Sequence, residues 1–415
     1  MTEIKLIIAF IFQLTAAINL LRKSENINCN GEKRFSSFDQ VIYIYYPQSE
    51  LTPTKCFYLV QSPVNTYISA KIYHNLNGIE PNCRGQKVLV SRDGDSELKG
   101  SSVFCGLRKN RPMEISSIGN EMTFGIISNS STSSVQIILR ITKFTQNNCD
   151  CSWNIGKKIV GGSNTLPNEF IAHAAFVTHL NEFNQSICGG TIISQNYILT
   201  CAHCILAIKN VFKWNVMIAV GRHNISAPAN RDTIYADYYK ISSAIMHKGY
   251  RRKTNDNDIA LVRTAKYMKF NRGCGAACLP FAYENFIVPT GTIMTAIGFG
   301  STQFAMSANI DRQSWILQKV QLTVNNSLIH CQNDTRKLCA IGDFNDKIKL
   351  RGDSCQRDSG SGLYGYMRNR YVLFGITSSG YACGEKKSYS INVYVAKYLA
   401  WIRSIIGSSE FLCIK

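Results

Sequence analysis

The sequence predicts an all-β protein in two domains, closed by one C-terminal helix. Three observations predict it. Short runs of alternating apolar and polar residues recur between Gly, Asn, Ser and Pro turns, the pattern of half-buried strands. At 415 residues the chain exceeds one ordinary domain and suits two. Only the C-terminal stretch repeats its apolar residues at helical spacing. Apolar residues at 45% and charged residues at 18% are globular proportions and exclude a disordered chain.

The first element is "KLIIAFIFQLTAA", a short apolar run after Lys5 that ends in small residues. It reads as a signal peptide over residues 1–19, cleaved near Ala17 to Asn19. It falls short of the roughly 20 residues that span a bilayer, and no later stretch reaches that length, so no transmembrane segment is expected. Secretion agrees with sixteen dispersed cysteines, which favour disulfides in an oxidising compartment over metal ligation. The pairs "CDC" and "CAHC" lack zinc-finger spacing. Sequons at Asn129, Asn184, Asn224, Asn325 and Asn333 allow a glycoprotein.

Residues 28–145 carry strand patterns such as "VIYIYY", "TYISAKIY" and "SVQIILRI", the signature of a sandwich. Residues 146–158, "QNNCDCSWNIGKK", form a linker. Short strands dominate again over 159–407. Val395, Tyr398, Leu399, Ile402, Ile405 and Ile406 then mark a helix that Gly407 stops, and residues 408–415 form a tail with Cys413.

The formal net charge of +19 is uneven: residues 146–415 contribute +14 and residues 20–145 only +5. Such a surface suits contact with polyanions such as heparin-like glycans, or serves solubility alone. Nucleic-acid binding would need a motif that is absent.

Four local signatures stand in order in the second half. "KKIVGG" carries Lys158 and Ile159, "ILTCAHC" carries His203, "NDNDIALV" carries Asp258 and "RDSGSG" carries Ser359. With the flanking "CGGTIIS" and "ACLP", they make residues 159–407 resemble a trypsin-like serine protease. The resemblance implies a chymotrypsin-like double β-barrel and a His–Asp–Ser triad. A serine hydroxyl attacks well only if a positioned base takes its proton. His203 would be that base, and Asp258 would fix its tautomer and steady the imidazolium. The implied substrates are proteins and peptides, with no cofactor.

The resemblance carries further expectations. Cleavage after Lys158 by a trypsin-like activator would free the Ile159 amine to pair with Asp358. The oxyanion hole would use the backbone N–H groups of Arg357 and Ser359. Arg357 stands where the family has glycine, in a backbone conformation that costs a side-chain-bearing residue roughly 1–2 kcal/mol. Two outcomes stay open. The peptide reorients and the donor is lost, or the hole survives and the Arg357 side chain projects over the leaving-group side of the cleft.

Asp353 stands at the carboxylate position that selects Arg or Lys before the scissile bond. Ser378 and Gly380 line the same pocket, with Ser379 in place of a tryptophan. Ser390 replaces a second pocket glycine, where its side chain would narrow the pocket, and Asn392 replaces a customary tyrosine. The implied disulfides are Cys188–Cys204, Cys331–Cys339, Cys355–Cys383 and Cys151–Cys278, the last tying the propeptide side to the catalytic domain. Cys201–Cys274 with Cys149–Cys413 completes one of several pairings that the sequence allows.

Residues 28–145 resemble a CUB domain, through the Cys29 to Cys56 and Cys83 to Cys105 intervals, "FCG" and "SSIGNEMTFGIIS". Such domains usually engage proteins, sometimes glycans. The regions where many of them bind calcium read "CRGQKV" and "SNSS", without a carboxylate, and the protease loop "GRHNIS" carries Arg222. A hard cation needs charged oxygen ligands, so no calcium or other metal is expected in either domain.

The whole arrangement resembles the CUB serine proteases of insect venoms, hymenopteran ones especially. That implies a secreted, extracellular endopeptidase zymogen of venom. Two rival readings are a catalytically silent homologue that acts as a binding or cofactor protein, to which Arg357, Ser361, Ser379 and Ser390 point, and a haemolymph immune or clotting protease.

Overall fold

The computed structural model describes residues 24–37, 40–47, 55–63, 66–75, 87–98, 101–105, 107–128, 134–143, 151–152, 163–180, 183–227, 232–233, 235–281, 285–301, 313–346, 350–367, 370–381, 383, 385–407 and 412–413. The chain divides into two compact units, Met1–Phe144 and Thr145–Lys415.

The first unit holds two five-stranded sheets. One runs in the order Ser24–Asn26, Val41–Tyr46, Ser134–Lys143, Thr66–Asn75, Leu107–Ser116; the other Gly31–Arg34, Lys55–Gln61, Glu121–Ile127, Lys87–Ser91, Ser102–Phe104. Side chains alternate across each strand, so a period of two sends one set inward. In Lys55–Gln61 that set is Cys56, Tyr58 and Val60, all buried. They meet Ile42, Ile44, Ile68, Ile72, Met122 and Phe124 in one core shared by both sheets, which is a β-sandwich. Cys29 is bonded to Cys56. Cys105 is disulfide-bonded too, while Cys83 lies outside the described residues.

The second unit contains two six-stranded barrels. The first closes through His173–Leu180, Phe183–Ile192, Tyr197–Thr200, Ala260–Thr264, Asp237–Met246 and Met217–Val220, back to its first strand. The second runs through Ile293–Gly298, Gly362–Met367, Arg370–Tyr381, Tyr389–Tyr394, Lys337–Gly342 and Gln318–Val324. A closed barrel leaves no open sheet edge and pins every strand's register, so loops at its rim are held firmly.

The helix Leu399–Ile406 follows a 3₁₀ turn, Val395–Tyr398, and buries Leu399, Ile402 and Ile406. Gly407, at φ 65°, ends it by donating its N–H to Arg403 O, as the sequence pattern predicts. A second helix, Ala202–Asn210, departs from the single helix expected. Nine residues are too few for helical periodicity to stand out, and packing of Cys204, Ile205 and Ile208 into the barrel holds it instead. No described helix is long and apolar enough to cross a membrane.

Cys151–Cys278, Cys188–Cys204, Cys331–Cys339 and Cys355–Cys383 are bonded. The pairing of Cys201 with Cys274 is corrected: both are buried free thiols. The Cys201 thiol is turned onto Thr377 O, 3.0 Å away, which directs it toward the second barrel. Cys413 is disulfide-bonded, and Cys149 lies outside the described residues.

Arg222 organises the loop that follows Val220. Its buried guanidinium pairs with Asp232 at 2.8 Å and donates to Asn224 O at 2.8 Å and to Ala227 O. Asp232 also accepts the N–H groups of His223 and Asn224. An internal cation therefore gathers a carboxylate and backbone carbonyls, the ligand types that a hard metal ion would otherwise take.

Candidate active site

Asp258 ends the "NDND" turn and enters the strand Ala260–Thr264. Asn255 and Asn257 both stand at φ 51°, a left-handed conformation that asparagine tolerates better than most residues. Local chemistry thus shapes the turn that delivers the carboxylate. The Asp258 side chain is fully buried. Its Oδ1 accepts the backbone N–H of His203 at 2.9 Å, and its Oδ2 lies 2.7 Å from His203 Nδ1.

His203 occupies the first turn of the helix Ala202–Asn210, beside Cys204 and its bridge to Cys188. Its side chain is 31% exposed, which leaves the ring open to a reactant on one side. A third group reaches the carboxylate from the other barrel: Ser378 Oγ donates to Asp258 Oδ2 at 2.6 Å. Burial alone would raise the Asp258 pKa. The His203 hydrogen bond and charge, with the Ser378 hydroxyl, outweigh it and hold the carboxyl below its ordinary value.

Ser359 is held by its backbone, whose O accepts Gly189 N–H at 2.8 Å. Gly360 follows at φ 88°, and a Cβ there would stand 2.2 Å from Gly189 O, so this close approach requires glycine. The Ser359 hydroxyl donates to Ser378 O at 3.5 Å rather than to the His203 ring. Ser378 therefore contacts both Asp258 and Ser359.

Arg357 keeps a left-handed backbone at φ 77°. Asp358 N donates to Cys355 O at 3.1 Å, which closes a turn with Arg357 third; a positive φ at that place defines type II. The side chain turns aside, donating from Nη1 to Gln313 Oε1 at 2.8 Å and, more weakly, to Ser186 O at 3.4 Å. Asp358 accepts Gly300 N–H and Cys355 N–H at 2.8 and 2.9 Å. Burial of its carboxyl, aided by the charge of Asp353 and opposed by those N–H groups, raises its pKa to about 7. Lys158 and Ile159 lie outside the described residues.

Asp353 is half-buried and accepts the backbone N–H of Ser354 at 2.8 Å. Gly380 is exposed and pairs across the sheet with Ser390. The Ser390 hydroxyl is buried, donating to Ala340 O at 3.2 Å and accepting from Asn392 Nδ2 at 3.0 Å. Those bonds hold it against the sheet backbone.

A family model described as Trypsin matches residues 159–402. Venom serine protease 34 of Apis mellifera is 30% identical over 400 residues, covering 91% of this chain and 87% of that protein. The chain belongs to the trypsin family. A venom serine protease of Polistes dominula is 29% identical over 252 residues, 60% of this chain and 85% of its own length. The CLIP domain-containing serine protease B9 of Anopheles gambiae is 30% identical over 275 residues, 62% and 65%.

In this trypsin-family chain the matched region contains His203, Asp258 and Ser359 together. Reading the sequence missed Gln313 and Ser186, which catch the Arg357 side chain; no local signal marks residues that lie 44 and 171 positions away. It also missed that Ser378 serves the carboxylate. Cys201, His203 and Asp258 bring ligand atoms within 4.8 Å of one another. Two of those atoms already share the His203–Asp258 hydrogen bond, and burial raises the Cys201 pKa, which keeps the thiol protonated. Chemically, the site has a base aligned by a buried carboxylate beside a hydroxyl on a strained loop. Those are the parts of acyl transfer.

Proposed function

We propose that this protein is a secreted serine endopeptidase, made as a zymogen and switched on by cleavage after Lys158. His203 acts as general base and then acid, Asp258 orients it, and Ser359 is the nucleophile. The observation that carries this reading is the buried Asp258 carboxylate holding His203 Nδ1 at 2.7 Å, with Ser378 joining it to Ser359. A negative charge on that side favours the imidazolium that forms when Ser359 gives up its proton.

The released Ile159 amine pairs with Asp358, whose buried carboxyl, its pKa raised to about 7, meets no cation among the described residues. Arg357 and Ser359 N–H groups receive the oxyanion. Asp353, Ser378, Gly380 and Ser390 form the pocket for Arg or Lys before the scissile bond. The N-terminal sandwich acts as a CUB domain that engages a protein, and the relatives named as venom proteases favour a venom role.

A second reading, a silent homologue that works by binding, draws on the Ser359 hydroxyl's turn toward Ser378 O and on Arg357 in place of glycine. One experiment separates them. The chain is cut after Lys158 and exposed to a fluorophosphonate probe beside a Ser359→Ala control. Stoichiometric labelling lost in the control supports the protease; no labelling of a folded chain with Ile159 as its new N-terminus refutes it.

A further inference from the structure

The strand Arg370–Tyr381 passes Ser359 at Ser378 and continues beyond it. Its last residues, Ser378 to Tyr381, line a hollow of about 240 Å³ that is also lined by Lys253, Asp334, Arg336 and Lys337. Asn257, the neighbour of Asp258, lines the same hollow. A peptide laid along that strand advances about 3.3 Å per residue. A hollow lined from Ser378 through Tyr381 therefore takes side chains a few positions before the bond held at Ser359.

The charges around it are lopsided. Arg336 pairs with Asp334 at 2.8 Å, and Lys337 with Asp256 at 3.1 Å and Asp334 at 3.6 Å. Those two carboxylates are already engaged. Lys253 is exposed, as are Arg251 and Arg252 on the same turn, and none of the three has an ion-pair partner among the described residues. The turn is fixed by Arg251 N donating to Asp256 O at 3.0 Å and Thr254 N to Arg251 O at 3.2 Å, so these cations stand on an ordered support.

We infer that the hollow and its basic turn select an acidic segment: substrates carrying Asp or Glu two to four residues before the scissile bond. The inference rests on the protease reading, because it takes the bond at Ser359 as the point from which substrate positions are counted. The carboxylates of the substrate supply the partners that Lys253, Arg251 and Arg252 lack among the described residues, and the field of the turn speeds encounter.

The test uses the full chain cleaved after Lys158 and carrying Ser359→Ala, with fluorescent peptides that have Arg before the scissile bond. The third and fourth residues before that bond are Glu–Glu, Ala–Ala or Lys–Lys. Exposed ion pairs of this kind should make the Glu–Glu peptide bind about five-fold tighter than the Ala–Ala peptide at low salt, with the preference gone by about 0.5 M salt. Lys253→Glu should erase or reverse the order, and Lys253→Arg should keep it.

Equal affinities for the Glu–Glu and Ala–Ala peptides overturn the inference. So does a Lys253→Glu chain that loses binding to a sulfated glycan column while its peptide order is unchanged. Fluorophosphonate labelling of the chain with Ser359 intact reads the catalytic proposal separately. Labelling without acidic preference sinks this inference alone, and acidic preference without labelling sinks the catalytic reading alone.

Discussion

The Arg357 guanidinium donates to the Gln313 side chain at 2.8 Å while its own backbone stands at φ 77°. A residue that stands where the family has glycine thus keeps a glycine-like turn and anchors its long side chain on Gln313. Arg357→Gly should relieve left-handed strain of about 1 kcal/mol and empty the space that the side chain fills beside Gln313. Turnover of a small ester should change less than about three-fold. Affinity for a bulky trypsin-type protein inhibitor should rise at least about ten-fold. A hundred-fold gain in ester turnover would instead mean that Arg357 had been disabling the oxyanion hole.

Ser378 joins the two barrels at the Asp258 carboxylate. Hydrogen bonds to a charged group contribute about 1.5–3 kcal/mol. Ser378→Ala should lower kcat/KM by about ten-fold and raise the Asp258 pKa, because one of the groups that depress it is gone. The pH–rate profile should lose activity at higher pH on its acidic side. A profile unchanged in position would assign Ser378 to packing alone.

Asp358 tests activation. Its pKa, raised by burial to about 7, means that the folded uncut chain holds a proton that the unfolded chain releases near pH 4. By linkage, stability from this group falls as pH rises from about 4 to about 7. Asp358→Asn should therefore make uncut protein at pH 8 equally or more stable in urea, while the cut form loses nearly all activity. Destabilisation of the uncut variant at pH 8 would show a carboxylate already paired before cleavage.

The Arg222–Asp232 pair is buried on both sides, at 1% exposure each. Arg222→Met should cost about 3–5 kcal/mol by stranding Asp232, and adding Asp232→Asn should recover part of it. Millimolar calcium should leave the melting temperature of the unsubstituted chain unmoved. A calcium-induced rise of several degrees would contradict an internal cation in that loop.

Cys201 and Cys274 offer a direct check on the thiol assignment. Both are buried, and burial raises each pKa, so neither is a ready thiolate. Iodoacetamide should spare both in the native protein and label both in denaturant without reductant. Recovery of a Cys201–Cys274 bridged peptide would restore the pairing rejected above.

Much of this molecule is written locally. Alternation in "VIYIYY" and "TYISAKIY" predicts strands because a pleated chain with one buried face needs a period of two. Repetition from Val395 to Ile406 predicts a helix for the same reason at a longer period, and Gly407 marks its end because glycine alone turns left-handed without strain. "NDND" and "RDSGSG" announce their turns through asparagine and glycine. These features depend on neighbours within a few residues, and the sequence by itself determined them.

What tertiary structure decided lies between segments far apart in the chain. Ser378 meets Asp258 across 120 residues, Arg357 finds Gln313 across 44, and Cys201 faces Thr377 rather than Cys274. No local preference chooses such partners. They follow from how two closed barrels seat against each other, and buried polar groups must take whatever partner that packing brings within reach.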